Sequence, residues 1–199
     1  MIPDGLVVVR PAGEADAMGI ARVHVDTWRS TYAGLLPAAY LVGLSKPRRA
    51  AYWTQILAQP DERGGTFVAV EREAGVVGFS NIGAARRVPE ARRDGAEDWR
   101  GAGEVFTLYV APDFQNGGIG RRLLAAGFAE LARRGYQRAL LWVLAPNPSR
   151  FFYHAMGGQP IGVQQENVAG QTVDEIAYGW RDVAATAAQL AERVRGQGA

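Results

Sequence analysis

The sequence predicts an α+β fold, a mixed and mostly antiparallel central sheet with helices on both faces. Three observations carry that prediction. Residues 14–29 place Ala17, Ile20, Ala21, His24 and Trp28 at helical spacing. Residues 66–70 and 76–82 are two β-branched and aromatic runs around a Glu-Ala-Gly turn, the pattern of a hairpin. Residues 104–110 form a strand run that leads through a glycine-rich turn into a stripe of Ile119, Leu123, Leu124, Phe128 and Leu131.

In chain order, residues 6–10 read as a short strand ended by Pro11 and Gly13. The amphipathic helix of residues 14–29 follows. Pro37 opens a second helical stretch and residues 47–58 a third. Gly64 and Gly65 lead into the hairpin. Residues 84–103 interleave Arg86, Arg87, Arg92, Arg93 and Arg100 with Glu90, Asp94, Glu97 and Asp98. That is long for a connection and reads as a mobile excursion, able either to close over a site or to stay a solvated insertion. Trp99 within it is an apolar side chain that a purely solvated loop does not need. After the glycine-rich turn and its helix comes Gly135, then a buried-strand run at residues 139–144. Asn147 and Pro148 can start a short helix that Gly157 and Gly158 end. Residues 158–180 read as a final hairpin. One domain is expected over residues 1–181, and 182–199 as an Ala-rich C-terminal tail of helical tendency.

Composition narrows the function. The chain has 199 residues and 48% apolar content, enough for one sizeable core. It has no cysteine, which excludes disulfides, thiolate metal sites and a cysteine nucleophile. With only His24 and His154, a histidine-rich metal centre is not expected. Net charge is +2 and almost every basic residue is Arg, which does not suggest a nucleic-acid partner. No run reaches the length of a membrane span, and no secretion signal is apparent, so the expected location is the cytoplasm.

The glycine-rich turn is Gln115, Asn116, Gly117, Gly118, Ile119 and Gly120. A helix start carries unpartnered N–H groups and the positive end of the helix dipole, so it binds phosphate. Glycines there let the main chain approach the anion without a Cβ in the way. A dinucleotide fingerprint starting at Gly118 and Gly120 would need glycine at Leu123. A nucleotide P-loop would need Lys and Ser or Thr where Arg121 and Arg122 stand. What remains, Gln-x-x-Gly-x-Gly after a strand ending in Tyr-Val-x-Pro, resembles the pyrophosphate loop of the GNAT family of N-acetyltransferases. Two further blocks support the likeness: strand, Asn147 and a short helix with Phe152 and Tyr153; and residues 28–37, similar to the first-helix region of many bacterial members. The likeness runs over nearly the whole chain, with Gly158 standing where the family usually has Phe.

The resemblance implies a GNAT fold, acetyl-coenzyme A as cosubstrate, no metal, and direct attack by an amine. It implies that the main chain of Leu108, Tyr109 and Val110 pairs with the pantetheine arm and stabilises the oxyanion. Gln115 to Gly120 with Arg121 would meet the pyrophosphate. Adjacent helix residues point apart, so one of Arg121 and Arg122 is expected to face solvent. Tyr153 is the implied general acid for the leaving thiolate, or else an aromatic anchor between helix and sheet. Glu104 is either the base or a solvated carboxylate at a strand start. Asn147 hydrogen-bonds the cofactor, caps its helix, or does both. Trp28 and Tyr32 either line an acceptor cleft or belong to the core, while His24 and His154 read as structural or surface residues. The acceptor is a small-molecule or peptide amine, and family habit favours a homodimer. The competing reading is a non-catalytic acyl-coenzyme A sensor or interaction module on the same fold.

Overall fold

Strand β1 (Val7–Pro11) lies at one edge of the sheet, paired antiparallel to β2 (Gly65–Glu71). Residues 7–59, 64–89 and 98–195 are described in a computed structural model, with the side chain of residue 195 left aside. Leu6 of the first strand run, Arg92, Arg93, Glu90, Asp94 and Glu97 of the polar segment, and residues 196–199 lie outside them. The remaining strands are β3 (Gly75–Ala84), β4 (Gly103–Val110), β5 (Ala139–Leu144), β6 (Gln159–Val168) and β7 (Gln171–Trp180). Their spatial order is β1-β2-β3-β4-β5-β7-β6. Every neighbouring pair is antiparallel except β4 with β5.

The helices are α1 (Ala17–Thr31), α2 (Ala38–Gly43), α3 (Lys46–Ala58), α4 (Ile119–Arg133), α5 (Ser149–Ala155) and α6 (Val183–Arg195). A single 3-10 turn, Glu14–Asp16, precedes α1. Ser45 Oγ accepts the Arg48 N–H at 3.4 Å and Pro47 sits in the first turn, which together set the start of α3.

Adjacent residues of a strand point to opposite faces. Val68 packs with Ile20, Val23 and Trp53, on the α1 and α3 side. Ala69 packs with Ile119 and Leu123, on the α4 side. The helices therefore cover both faces, as the sequence predicts. The largest cluster joins Phe128 and Leu131 of α4 to Leu141, Tyr178 and Trp180 of the sheet and to Val183, Ala187 and Leu190 of α6. The segment expected as an Ala-rich tail thus contributes a helix to this core. Each fully buried side chain of the Phe and Leu kind stabilises the fold by roughly 1.5–3 kcal/mol.

The reading of residues 84–103 as a mobile excursion needs correction over its described part. Trp99 is only 4% exposed and packs with Ala102, Leu140, Val88 and Trp142. Ala85 N donates to Ala102 O at 2.9 Å. Isolated apolar residues without a period pin both ends of the segment to the sheet, and a search for periodicity does not register them.

Gly158, where the family pattern has Phe, has a packing reason. A Cβ there would lie 2.6 Å from Cζ2 of Trp180, so the indole occupies the space that a side chain would need. Trp180 Nε1 donates to Met156 O at 3.0 Å, fixing the ring. Among the described residues no helix is long and apolar enough to cross a membrane.

Candidate active site

The parallel pairing of β4 and β5 stops almost as soon as it starts. Gly103 faces Ala139 and Glu104 faces Leu140, and no register continues beyond them. On its other side β4 stays paired to β3 as far as Val110, with a bulge where Asn81 faces Thr107 and Ile82 faces Val105. A bulge increases local twist and bends the strand that carries it. Beyond Glu104 the β5-facing edge of β4 therefore has no strand partner. A cavity of about 880 Å³ opens there, within the range of sites that hold a large ligand.

One end of the cavity meets the start of α4. Gly118 caps that helix with φ 79°, a left-handed conformation that favours glycine, and Asn116 has φ 62°. Arg122 N donates to Gly118 O at 3.1 Å, the first turn of the helix. The N–H groups ahead of it have no acceptor within the helix. Gly120 lies against the cavity, and a Cβ on it would sit 3.3 Å from the Phe152 ring. Gln115, Asn116, Gly118, Gly120 and Arg121 all line the cavity. Gly117 and Ile119 do not, and the Ile119 side chain is buried in the core. The two adjacent arginines part, but Arg122 does not simply face solvent: it donates to Val7 O of β1 at 2.7 Å. Gln115 Nε2 donates to Val110 O at 3.0 Å, which closes the turn after β4.

The middle of the cavity is ringed by tyrosines. Leu108, Tyr109 and Val110 of β4, Asn147, and Tyr153 of α5 line it. Tyr153 is 7% exposed, and burial raises its pKa, with a smaller contribution from Tyr32. Burial also raises Tyr109 and Tyr32. The Tyr32 hydroxyl is within hydrogen-bonding reach of Tyr109 and Asn147. All three phenols therefore stay protonated at neutral pH. Asn147 Oδ1 accepts the Ser149 N–H at 2.9 Å, with Pro148 between Asn147 and the first helical residue. Asn147 thus caps α5 and faces the cavity at once.

The far end is built by α1, α2 and α3. Trp28 and Tyr32 both line the cavity, their ring centroids 4.9 Å apart. Two residues of the cavity wall escaped the sequence reading. His24 is 5% exposed, within an aromatic set of Trp28, Trp53, Phe79 and Tyr109, and it lines the cavity rather than the surface. Glu175 of β7 is, among the described residues, the only carboxylate in the cavity wall. Its Oε2 takes hydrogen bonds from Arg87 Nη2 at 3.3 Å and Gln164 Nε2 at 3.0 Å. Among the described residues no hydrogen bond is made to its Oε1.

Glu104 is placed otherwise. It is 4% exposed and absent from the cavity wall, and its Oε2 accepts the Arg86 N–H at 2.8 Å. Burial raises its pKa, against the lowering by that N–H. The described residues contain no group of side chains suited to a metal ion.

Known proteins share this architecture. The N-acetyltransferase YuaI of Bacillus subtilis (strain 168) is 32% identical over 180 residues, which is 90% of this chain and 96% of that protein. An N-acetyltransferase structure from Staphylococcus aureus Mu50 superposes with a TM-score of 0.65 at 19% identity, over 89% of this chain and 98% of that one. The structure of yncA from Salmonella typhimurium with its cofactor acetyl-CoA gives a TM-score of 0.61 at 20% identity, over 88% and 93% of the two chains. The description "Acetyltransferase (GNAT) family" matches residues 21–157, most of the length that forms the split sheet and its helices, and the chain belongs to that family.

Proposed function

We propose that this protein transfers an acetyl group from acetyl-coenzyme A to a primary amine by direct attack. The observation that carries the reading is the end of β4–β5 pairing at Glu104 and Leu140, with the cavity opening between a glycine-rich helix start and Tyr153. The loop fits the cosubstrate: side chains at Gly118 and Gly120 would strain the turn or fill the space beside Phe152. In this reading Gln115, Asn116, Gly117, Gly118, Ile119 and Gly120 offer main-chain donors to the pyrophosphate, and Arg121 adds charge. The β4 edge at Leu108, Tyr109 and Val110 holds the pantetheine arm and meets the oxyanion, and Asn147 borders the same channel.

Acetyl-coenzyme A supplies the acetyl group as a thioester, whose carbon–sulfur bond breaks as the acceptor nitrogen bonds to the carbonyl carbon. Glu175 takes one proton from the incoming ammonium, because a protonated amine has no lone pair for attack. Tyr153 gives its hydroxyl proton to the departing sulfur and regains one from the acylated nitrogen, through solvent. Glu175 returns its proton to water. Trp28 and Tyr32 shape the acceptor end. A cysteine-free chain favours this direct route over an acyl-enzyme.

The test is thiol release from acetyl-coenzyme A against a panel of amines, with cofactor binding measured in parallel by calorimetry. Release with at least one amine supports the reading. Tight binding with no release from any amine would instead favour an acyl-coenzyme A sensor, and no binding would overturn both.

A further inference from the structure

We propose that the α1–α3 end of the cavity is an anion subsite: the acceptor amine also carries a carboxylate or similar oxyacid, received by His24 Nε2–H and the Arg49 guanidinium. This rests on the acetyl-transfer reading above and names the acceptor class of the same site.

Trp53 fixes which nitrogen of His24 carries the proton. An indole N–H can only donate. Trp53 Nε1 donates to His24 Nδ1 at 3.3 Å, from α3 to α1. Nδ1 is therefore the acceptor nitrogen, and the single proton of a neutral ring sits on Nε2. The ring is neutral, because burial, helped by the Arg49 charge, lowers its pKa to about 3. His24 is thus no general base: one nitrogen is engaged and the other already carries its proton. It is a donor. Yet Nε2 is buried with no hydrogen-bond partner among the described residues, on a residue that faces the cavity. A buried donor left unsatisfied is unfavourable, a cost that a ligand oxygen would recover.

Two neighbours sharpen the chemistry. Arg49 lines the same cavity and makes no ion pair among the described residues, its guanidinium lying 5.6 Å from the centre of the Tyr52 ring. A guanidinium beside an N–H donor selects an anionic oxygen over a neutral one. Thr27 Oγ1 and Thr107 Oγ1, also in the wall, are buried without partners among the described residues and add polar capacity. Across the cavity from α1 and α3, β7 presents Glu175, whose charge is felt by Tyr32. One wall thus reads an anion and the other an ammonium.

The probes are phenylacetate, its neutral isostere phenylacetamide, and phenethylamine, added to protein saturated with coenzyme A and followed by calorimetry and by the fluorescence of Trp28 and Trp53. Phenylacetate is expected to bind at least tenfold more tightly than phenylacetamide. Arg49→Gln should erase the difference and Arg49→Lys should keep part of it. His24→Phe should weaken phenylacetate alone, circular dichroism showing that each variant folds. Equal binding of the acid and the amide, preference for the amine, or no binding of any probe would overturn the subsite. Failure of coenzyme A itself to bind is read out separately in the same calorimeter and would count against the acetyl-transfer reading instead.

Discussion

Arg87 Nη2 lies 3.3 Å from Oε2 of Glu175, so a residue just after β3 holds the carboxylate that β7 presents to the cavity. The same guanidinium pairs with Glu166. A carboxylate fixed through one oxygen keeps its orientation while the other remains available. Glu175→Gln preserves the shape and removes the basicity. It is expected to lower kcat/KM by about 10²-fold or more, with acetyl-coenzyme A affinity unchanged, and to remove the acidic limb of the pH–rate profile. An acidic limb that survives the substitution would assign the base elsewhere.

Tyr153→Phe removes one hydroxyl from a side chain that is 7% exposed. The ring still fills its place in the core beside Phe152, so the fold should hold. Turnover should fall by about two orders of magnitude, the scale of general acid catalysis. If kcat stays near wild type, Tyr153 is an anchor and another group protonates the sulfur.

Gly120→Val would put a branched side chain where a Cβ alone comes within 3.3 Å of Phe152. The affinity for acetyl-coenzyme A should drop at least tenfold, about 1.4 kcal/mol, by calorimetry on the folded variant. Wild-type affinity would remove the loop from the cofactor site.

Two buried groups give stability opposite pH dependences. His24 has a folded pKa of about 3 against an ordinary 6.5. The unfolded chain therefore binds the extra proton between those values, and stability falls as pH drops below 6.5. Glu104 is shifted upward from 4.5, so the folded chain keeps its proton longer, and stability falls as pH rises through that range. His24→Phe should flatten the acid-side loss. Glu104→Gln, which can still accept the Arg86 N–H, should flatten the opposing slope. Urea titrations from pH 4 to pH 7.5 would separate them, and parallel curves for variant and wild type would rule out the corresponding shift.

Trp99→Ala should cost about 3–5 kcal/mol, as for large aromatic side chains truncated in a core. The reason is local: a Cβ at Gly179 would lie only 2.4 Å from the Trp99 ring, so indole and strand are in close contact. A Tm unchanged by the substitution would return the segment to the status of a spacer.

The fold was legible because its signals are local. The α1 stripe, the β2–β3 hairpin and the glycine turn before α4 each declare themselves within about a dozen residues. Part of the cavity wall was legible for the same reason, since residues 108–121 and 147–153 are two continuous blocks. Glu175 was not, because its place depends on Leu144 standing opposite it in the β5–β7 register, a contact no spacing rule anticipates. His24 had a signal of its own. His24, Trp28 and Tyr32 fall on one helix face, and each carries an N–H or O–H that an ordinary packed stripe does not need. Glu104 shows the reverse error, in which a charged residue at a strand start was placed by its position in sequence although its carboxylate turns to the Arg86 main chain.

The early end of β4–β5 pairing also bears on how such a protein can change. Every amino acid but proline carries a main-chain N–H, so the donors along the open edge of β4 beyond Glu104 survive nearly any substitution that leaves the strand folded. The opposite wall is made of side chains from α1 and α3, where one codon change replaces a donor with a methyl group. The half of the cavity made of backbone is therefore buffered against mutation, and the half proposed to face the acceptor is free to drift, so on that reading descendants of this chain can exchange substrates without rebuilding the edge beside them.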